Sequence, residues 1–186
     1  MKLFWERGYE GTSMNDLAAT SGMAKPGLYA TFGDKEALYA KALTHYFEAY
    51  GLPLLDDIVQ SPDPLEVVTR RSLERVASAV IDENWPGGCL VVNSVIECAH
   101  QSPCINALGK HFSEMRYAAF AKRFRAAKAQ GSLPANMDAR ALAEFFSGQT
   151  VALAVMGRSG ASREQLDRFI DVAMTALPTA KRVQHT

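Results

Sequence analysis

The distribution of apolar and polar residues predicts a chain made of helices. Apolar side chains recur three or four positions apart along most of the sequence, the spacing that places them on one face of a helix. Glycine and proline interrupt this pattern at close intervals before residue 50 and at wider intervals after residue 100. We therefore predict an all-α fold, with short helices in the N-terminal part and longer ones in the C-terminal part.

The N-terminal part predicts three short helices. The first is expected at Met1–Arg7. Ser13 is placed to cap the second helix, and Gly22 follows its last turn, where a left-handed residue lets the chain reverse. Pro26 falls in the first turn of the third helix, the position at which a helix tolerates proline.

A connecting helix follows, with Asp34 as its predicted cap, and runs to about Tyr50, where Gly51, Leu52 and Pro53 are expected to interrupt or bend it. Five helices are predicted beyond it, at Leu65–Glu83, Cys89–Ala99, Pro103–Gly131, Asp138–Met156 and Arg163–Leu177. Asn136 or Asp138 is expected to cap the fourth of these. The segment 89–99 also suits a strand, but we predict a helix because no second strand is available to pair with it.

Two short helices joined by a tight turn and followed at once by a third are the arrangement of a helix-turn-helix DNA reader, whose second helix enters the major groove. On that helix Leu28 and Phe32 are expected to point inward. The outward-pointing positions are Lys25, Gly27, Tyr29 and Thr31. An exposed tyrosine beside a lysine and small residues suits a surface pressed against a sugar–phosphate backbone.

Lys35 lies in the first turn of the connecting helix, where a cation opposes the helix dipole by roughly 0.3–1 kcal/mol. This placement is explained if the lysine meets a phosphate near the free backbone N–H groups, and is otherwise that of an ordinary surface lysine. Residues 1–46 are therefore predicted as a DNA-binding domain, residues 47–178 as a second helical domain and residues 179–186 as a tail.

The runs 4–18 and 21–38 together resemble the N-terminal domain of TetR-type repressors: glycine-tyrosine, threonine-serine, leucine-tyrosine-x-x-phenylalanine and lysine-glutamate all fall in register. The resemblance implies a helical C-terminal domain for ligand binding and dimerisation. The positions that it places against base edges are Asn15, Lys25, Pro26, Gly27 and Thr31. The positions that it places on phosphates are Ser13, Tyr29 and Lys35.

The sequence departs from the family pattern in two places. The family's first helix normally begins further upstream, so Met1–Arg7 is expected to be a truncated form of it. Gly27 and Ala30 are smaller than the residues common there, which leaves more of the base contact to Lys25, Pro26 and Thr31. The Pro26 ring suits a thymine methyl.

The last two long helices carry more apolar surface than a small monomer needs. The residues concerned are Leu142, Phe145, Phe146, Leu153 and Met156 on one helix and the stripe 166–177 on the other. Gly148 and Ala152 allow close helix approach. These stripes are either ordinary core or a dimer interface, and a homodimer through helices 138–157 and 163–177, reading a near-palindromic operator in double-stranded DNA, is the expectation that the resemblance supports.

Candidate residues for effector binding begin at Trp85. The segment that starts there resembles one found in a branch of the family with a responsive cysteine. Cys89 follows a glycine pair near a helix N-terminus, where the dipole lowers a thiol pKa, although a cysteine opening an apolar helix is also commonly buried. Asn93 is a possible hydrogen-bonding group of a pocket. Phe112 and Met115 are candidates for its apolar lining, with Phe120, Phe145 and Met156 as further ones, although such residues at helical spacing are commonly ordinary packing.

The composition bears on the attraction of the chain to DNA and on its location in the cell. The chain has 20 basic and 20 acidic residues, and residues 1–50 are not basic as a block, so nonspecific attraction to DNA is expected to be modest. No stretch approaches about 18 uninterrupted apolar residues and no signal peptide precedes the motif, so a cytoplasmic protein with free thiols and no membrane contact is expected.

A metal site, an enzyme and a small-molecule-binding dimer are the alternatives to a DNA-binding regulator. Cys98, His100, Cys104 and His111 do not have the spacing of a zinc site, so neither a metal nor another cofactor is predicted. An enzyme would need Cys89 as nucleophile with His100 or His111 as base, and nothing supplies an oxyanion hole or a phosphate loop. A small-molecule-binding dimer that cannot bind DNA is the third possibility; a ligand-responsive repressor is the prediction.

Overall fold

A computed structural model describes residues 1–98 and 102–178 of the chain, and all regular structure within those two ranges is helical. The helices are α1 (Lys2–Arg7), α2 (Met14–Ser21), α3 (Lys25–Phe32), α4 (Lys35–Tyr46), α5 (Leu52–Gln60), α6 (Leu65–Val80), α7 (Leu90–Cys98), α8 (Pro103–Ala129), α9 (Ala139–Arg158) and α10 (Arg163–Met174). The predicted all-α fold is therefore confirmed. The predicted tail 179–186 and Ala99 lie outside the described residues.

The predicted helix boundaries in the N-terminal part follow from local capping. The Ser13 hydroxyl accepts a hydrogen bond from the Asp16 amide, and the Asp16 carboxylate accepts one from the Ser13 amide, so the two residues form a capping box. Gly22 ends α2 in the left-handed region at φ 70°. The Asp34 carboxylate accepts a hydrogen bond of 2.8 Å from the Ala37 amide and caps α4.

The predicted interruption at residues 51–53 is replaced by a change of helical register. A five-residue π-helical turn, Phe47–Gly51, joins α4 to α5, and the Leu52 amide donates to the Phe47 carbonyl five residues back. The wider turn comes just before Pro53, which has no N–H to donate and would otherwise crowd the carbonyl four residues earlier. The connection between the two parts of the chain is therefore helical throughout.

The structure corrects one predicted helix end and decides two alternatives that the sequence left open. α6 ends at Val80 rather than Glu83, because the chain folds back and the Gly88 amide donates to the Val80 carbonyl at 2.9 Å. The segment 90–98 is helical, as predicted, and not a strand. Asp138, and not Asn136, caps α9 by accepting from the amides of Arg140 and Ala141.

The core lies between the long helices of the C-terminal part. α8 packs along α9, α7 and α5, while α6 packs on both α9 and α10, which also contact each other. The fully buried side chains that fill this space include Leu73, Leu90, Ile105, Phe120, Phe124, Phe146 and Leu153. The N-terminal helices attach through Tyr39 of α4, which is 0% exposed and lies edge-on to Phe4 with ring centroids 4.7 Å apart.

Candidate nucleic-acid interface and central cavity

The helices α1–α4, called the reader below, place most of the predicted DNA contacts at exposed positions. Leu17 of α2 and Leu28 of α3 are buried and hold the two helices together across the turn at Gly22. Phe32, predicted to point inward, is half-buried. The exposed members of the predicted DNA-contacting set are Ser13, Asn15, Lys25, Pro26, Tyr29 and Thr31, with Tyr29 at 50% exposure.

The two remaining members of that set, Gly27 and Lys35, are half-buried. A Cβ at Gly27 would contact only the Met23 side chain, at an ordinary 3.8 Å, so the position is open. The Lys35 ammonium lies 4.2 Å from the centre of the Tyr9 ring, a cation–π contact that holds it at the start of α4. The Ser13 hydroxyl is hydrogen-bonded to Asp16, so a phosphate at this position would have to bind a hydroxyl that already has a partner.

The charges of the first 46 residues balance. The basic residues are Lys2, Arg7, Lys25, Lys35 and Lys41, and the acidic residues are Glu6, Glu10, Asp16, Asp34 and Glu36. Part of this balance is local, because the Arg7 guanidinium lies 3.6 Å from the Asp16 carboxylate. Contact with DNA therefore depends on where the cations lie and not on an overall positive field.

A joint of hydrogen bonds attaches the reader to the C-terminal part through α7. The Tyr39 and Ser94 hydroxyls are 2.7 Å apart and buried, and the Ser94 hydroxyl also donates to the Leu90 carbonyl. The Glu97 carboxylate accepts from the Tyr9 amide at 3.1 Å. The pKa of Tyr39 is raised above its ordinary value, chiefly by burial, so this phenol remains a neutral hydrogen-bonding group.

A second set of contacts ties α1 to the loop before α7. The Trp5 indole N–H donates to the Gly87 carbonyl at 3.0 Å, and the ring stacks on Trp85 with centroids 5.7 Å apart. The Arg158 guanidinium donates to the carbonyls of Glu6 and Pro86 at 2.9 and 2.7 Å. Sequence analysis did not identify these contacts, because each joins residues more than seventy positions apart.

A cavity of about 270 Å³, called the central cavity below, lies between α5, α6, α7, α8 and α9. Its apolar wall includes Phe47, Leu54, Leu55, Val76, Val80, Val91, Val92 and Ala154. Cys89 lines the cavity, as do Tyr46 and Arg116, neither of which the sequence analysis singled out.

The other predicted effector residues lie around this cavity and not among its lining residues. Trp85 packs on Trp5, as described above. Phe112 stacks on the lining residue Phe47 with ring centroids 4.0 Å apart, so it supports the wall from behind. Asn93 and Met115 are half-buried.

Three polar residues of the cavity lining, Tyr46, Cys89 and Arg116, lie close to one another. The Arg116 Nε donates to the Ser147 hydroxyl at 3.3 Å, and removal from water lowers the pKa of its guanidinium, an effect partly opposed by Cys89. Burial raises the pKa of Tyr46, and its interaction with the Cys89 thiol raises it further.

The three cysteines are free thiols in distinct surroundings. Cys98 is buried, and burial together with Glu97 raises its pKa to about 11, whereas Cys104 is exposed. His111 is exposed and His100 lies outside the described residues. Within the ranges that the structure describes, no group of three or more His, Cys, Asp and Glu side chains is arranged to hold a metal ion.

The two apolar stripes of the last long helices divide between core and surface. The predicted residues Leu142, Phe146, Leu153, Leu166 and Ile170 are buried within this chain and are ordinary core. Exposed apolar side chains remain on the outer face of both helices, at Phe145 (40%), Val155 (45%) and Val172 (71%). A Cβ at Gly148 would meet nothing within 4 Å, so this face is open beside it.

The fold and the exposed reader define a helix-turn-helix DNA-binding protein with a separate helical domain. Two family models agree: one for the bacterial regulatory proteins of the tetR family matches residues 1–42, and one for the tetracyclin repressor-like C-terminal domain matches residues 69–173. The chain therefore belongs to the TetR family of bacterial regulatory proteins. It is a DNA-binding transcriptional regulator and not an enzyme.

Individual relatives share most of the chain. The HTH-type transcriptional repressor ComR of Escherichia coli (strain K12) is 27% identical over 178 residues, which span 96% of this chain and 85% of the relative. A TetR transcriptional regulator from Rhodococcus sp. RHA1 is 32% identical, with 97% and 96% of the two chains covered and a TM-score of 0.64.

A DNA-bound structure is also similar. A cysteine mutant of the TetR family regulator CifR, complexed with 26-bp double-strand operator DNA, is 29% identical and has a TM-score of 0.87, with 95% and 92% of the two chains covered. In the described part of the present chain, no helix combines the length and apolar character needed to cross a membrane.

Proposed function

We propose that the chain is a cytoplasmic repressor that binds a near-palindromic operator as a homodimer and leaves it when the central cavity is occupied. The observation that carries this proposal is the reader surface, on which Lys25, Pro26, Tyr29 and Thr31 are exposed together on α3. α3 enters the major groove, with Lys25, Pro26 and Thr31 toward base edges and Tyr29 toward the backbone.

The remaining contacts fix the position of the reader on the duplex. Lys35 and Ser13 meet phosphates on either side of α3, and Asn15 and Gly27 lie close to the bases. The similarity to CifR, whose mutant is seen on operator DNA, and to ComR, which is described as a repressor, supports this assignment.

The dimer forms through α9 and α10. The exposed side chains Phe145, Val155 and Val172 supply an apolar surface on the outer face of these helices, and Gly148 allows the partner helix to approach closely. A two-fold axis through this face repeats the reader, so that two copies occupy successive major grooves.

The effector acts through α7, because this helix reaches both the cavity and the reader. Its first turn contributes Val91 and Val92 to the cavity wall, and its last turns hold the reader through Ser94 and Glu97. A ligand that binds the released conformer more tightly than the DNA-bound one shifts α7 and thereby changes the spacing of the two readers.

A thiol provides a second possible trigger. Cys89 lines the cavity and interacts with Tyr46, so a compound that reaches the cavity also reaches the sulfur. If modification of this thiol is the signal, Cys89→Ser abolishes release by electrophiles and leaves operator affinity unchanged.

The test is selection of bound sequences from a random duplex pool by the purified protein. Enrichment of a palindrome with half-sites about one helical turn apart is the expected result. A matched selection with Thr31→Ala should retain the half-site spacing and relax the preference at one or two base positions. Failure of the wild-type protein to enrich any sequence would contradict operator binding.

A further inference from the structure

The central cavity contains one cation for which the described protein supplies no counter-charge. Arg116 projects from α8 and lines the cavity, and its one recorded hydrogen bond is from Nε to the Ser147 hydroxyl. In the described ranges, no carboxylate lies within 4.0 Å of this guanidinium, and its two terminal amino groups donate to no protein atom.

The second arginine at the cavity provides a contrast. Arg75 also lines it, but its guanidinium lies 3.5 Å from the Asp57 carboxylate, which in turn pairs with Arg71. Arg75 is therefore already neutralised within the protein, whereas Arg116 is not.

A charged guanidinium that is partly removed from water and has no counter-charge nearby is energetically unfavourable. The lowered pKa of Arg116 reflects this cost. An anion bound in the cavity would relieve it. Because a guanidinium offers parallel N–H donors that match the two oxygens of a carboxylate, a carboxylate fits this position better than a spherical anion.

The rest of the cavity limits the size and charge of this anion. A volume of about 270 Å³ lies just below the usual range for small-molecule sites, roughly 300–1,000 Å³, so the ligand must be small. The wall is mostly apolar, and the polar groups beside Arg116 are the Tyr46 phenol, the Cys89 thiol and the Thr150 hydroxyl. One available cation among neutral groups matches one negative charge, which disfavours a phosphate dianion.

We propose that the central cavity binds a small organic monocarboxylate, whose carboxylate pairs with Arg116 and whose aliphatic or aromatic body lies against the apolar wall. This inference rests on the proposed function, because it identifies the chemical class of the effector. The Tyr46 hydroxyl and Cys89 thiol lie beside the carboxylate and favour acids over compounds that are apolar throughout.

Calorimetric titration of the full chain tests the proposal with acid and amide pairs of the same shape. Hexanoate and benzoate are compared with hexanamide and benzamide, which retain the body of the ligand and lose the charge. At least one acid should bind with a Kd of about 1 mM or tighter and about tenfold more tightly than its amide. Equal binding of an acid and its amide, or no binding by either acid, overturns the proposal.

Variants on one helix then locate the charge. Arg116→Gln should weaken acid binding by about tenfold or more and leave amide binding unchanged. Arg125→Gln, which removes an exposed arginine on α8 outside the cavity, should bind the acids as the wild type does. If Arg116→Gln does not fold, the comparison of acids with amides on the wild-type chain still decides.

An operator-release assay separates this inference from the proposed function. Acid binding that depends on Arg116 but leaves the operator occupied supports the carboxylate site and contradicts its role as effector site. Release by the neutral amides alone overturns the carboxylate assignment and supports an effector-controlled repressor.

Discussion

Lys35, proposed to meet a phosphate, is held in place by an aromatic ring. Its ammonium lies over the Tyr9 ring at the start of α4, where the helix dipole opposes a positive charge. The ring reduces the conformational freedom of the lysine before DNA arrives, so less order has to be imposed on binding.

We expect Lys35→Ala to weaken binding to every DNA sequence by a similar factor and to reduce the salt slope by about one unit. Lys41→Ala is the control, because Lys41 is an exposed lysine on the same helix that is not predicted to contact DNA. Filter binding at several salt concentrations measures both quantities. An unchanged slope for Lys35→Ala would show that this lysine does not meet a phosphate.

A substitution at Gly27 is expected to have opposite effects on the stability of the fold and on operator binding. A methyl group fits there, and alanine in place of glycine within a helix stabilises by roughly 0.5–1 kcal/mol. Gly27→Ala should therefore raise the free energy of unfolding while lowering operator affinity, because the added methyl lies on the surface proposed to face the bases. Chemical denaturation and operator titration test the two effects, and a higher free energy of unfolding with unchanged operator affinity would place position 27 away from the duplex.

At the scale of elements, the capping box of α2 is an acid-sensitive feature. Hydrogen bonds from Ser13 lower the pKa of the Asp16 carboxyl, with a smaller effect from Arg7. A lowered folded-state pKa stabilises the fold above the unfolded value of about 3.9, and this stabilisation is lost as pH falls through the folded value.

Asp16→Asn should accordingly lower the melting temperature at neutral pH and have a smaller effect at about pH 3. Asp56→Asn, at an exposed position on α5, is the matched control. Differential scanning calorimetry over this pH range measures the difference. An equal loss at both pH values would mean that the carboxylate charge is not the cause.

The joint between α4 and α7 is a second feature at this scale. Tyr39→Phe removes the hydroxyl that contacts Ser94 and should cost about 1 kcal/mol of stability. Because this joint holds the reader, amide hydrogen exchange in α2 and α3 should become faster, whereas Tyr117→Phe on α8 should leave it unchanged. Slow exchange in both variants would show that the other contacts hold the reader without this one.

How far the elements follow from the sequence depends on the range of the interactions. Ser13, Gly22 and Asp34 act on neighbours within a few residues, so the helix ends that they set could be predicted from the sequence alone. The π turn at Phe47–Gly51 depends on how α4 and α5 are held by the rest of the fold. Arg116 becomes notable only when the fold shows that no carboxylate among the described residues lies within 4.0 Å of its guanidinium.

For the whole molecule, the proposed dimer through the exposed apolar side chains of α9 and α10 would bring two readers together. Val172 is 71% exposed, so Val172→Glu has little effect within one chain but places a charge in the proposed dimer interface. We expect this variant to sediment as a monomer and to lose most operator affinity, because one reader alone makes half of the contacts.

The control is Val67→Glu on α6, which introduces the same charge at a position that is 48% exposed and outside the proposed interface. It should remain dimeric and bind the operator. Analytical ultracentrifugation distinguishes the two variants, and a dimeric Val172→Glu protein would place the interface elsewhere.

The balance of five basic and five acidic residues in the first 46 positions has a kinetic consequence. A reader without net charge gains little from the general attraction of DNA, so the protein spends little time sliding along nonoperator sequence. We therefore expect most of the search to proceed by repeated collision from solution, and a repressor released as proposed not to be retained nearby. The concentration of free protein therefore determines how quickly the operator is occupied again.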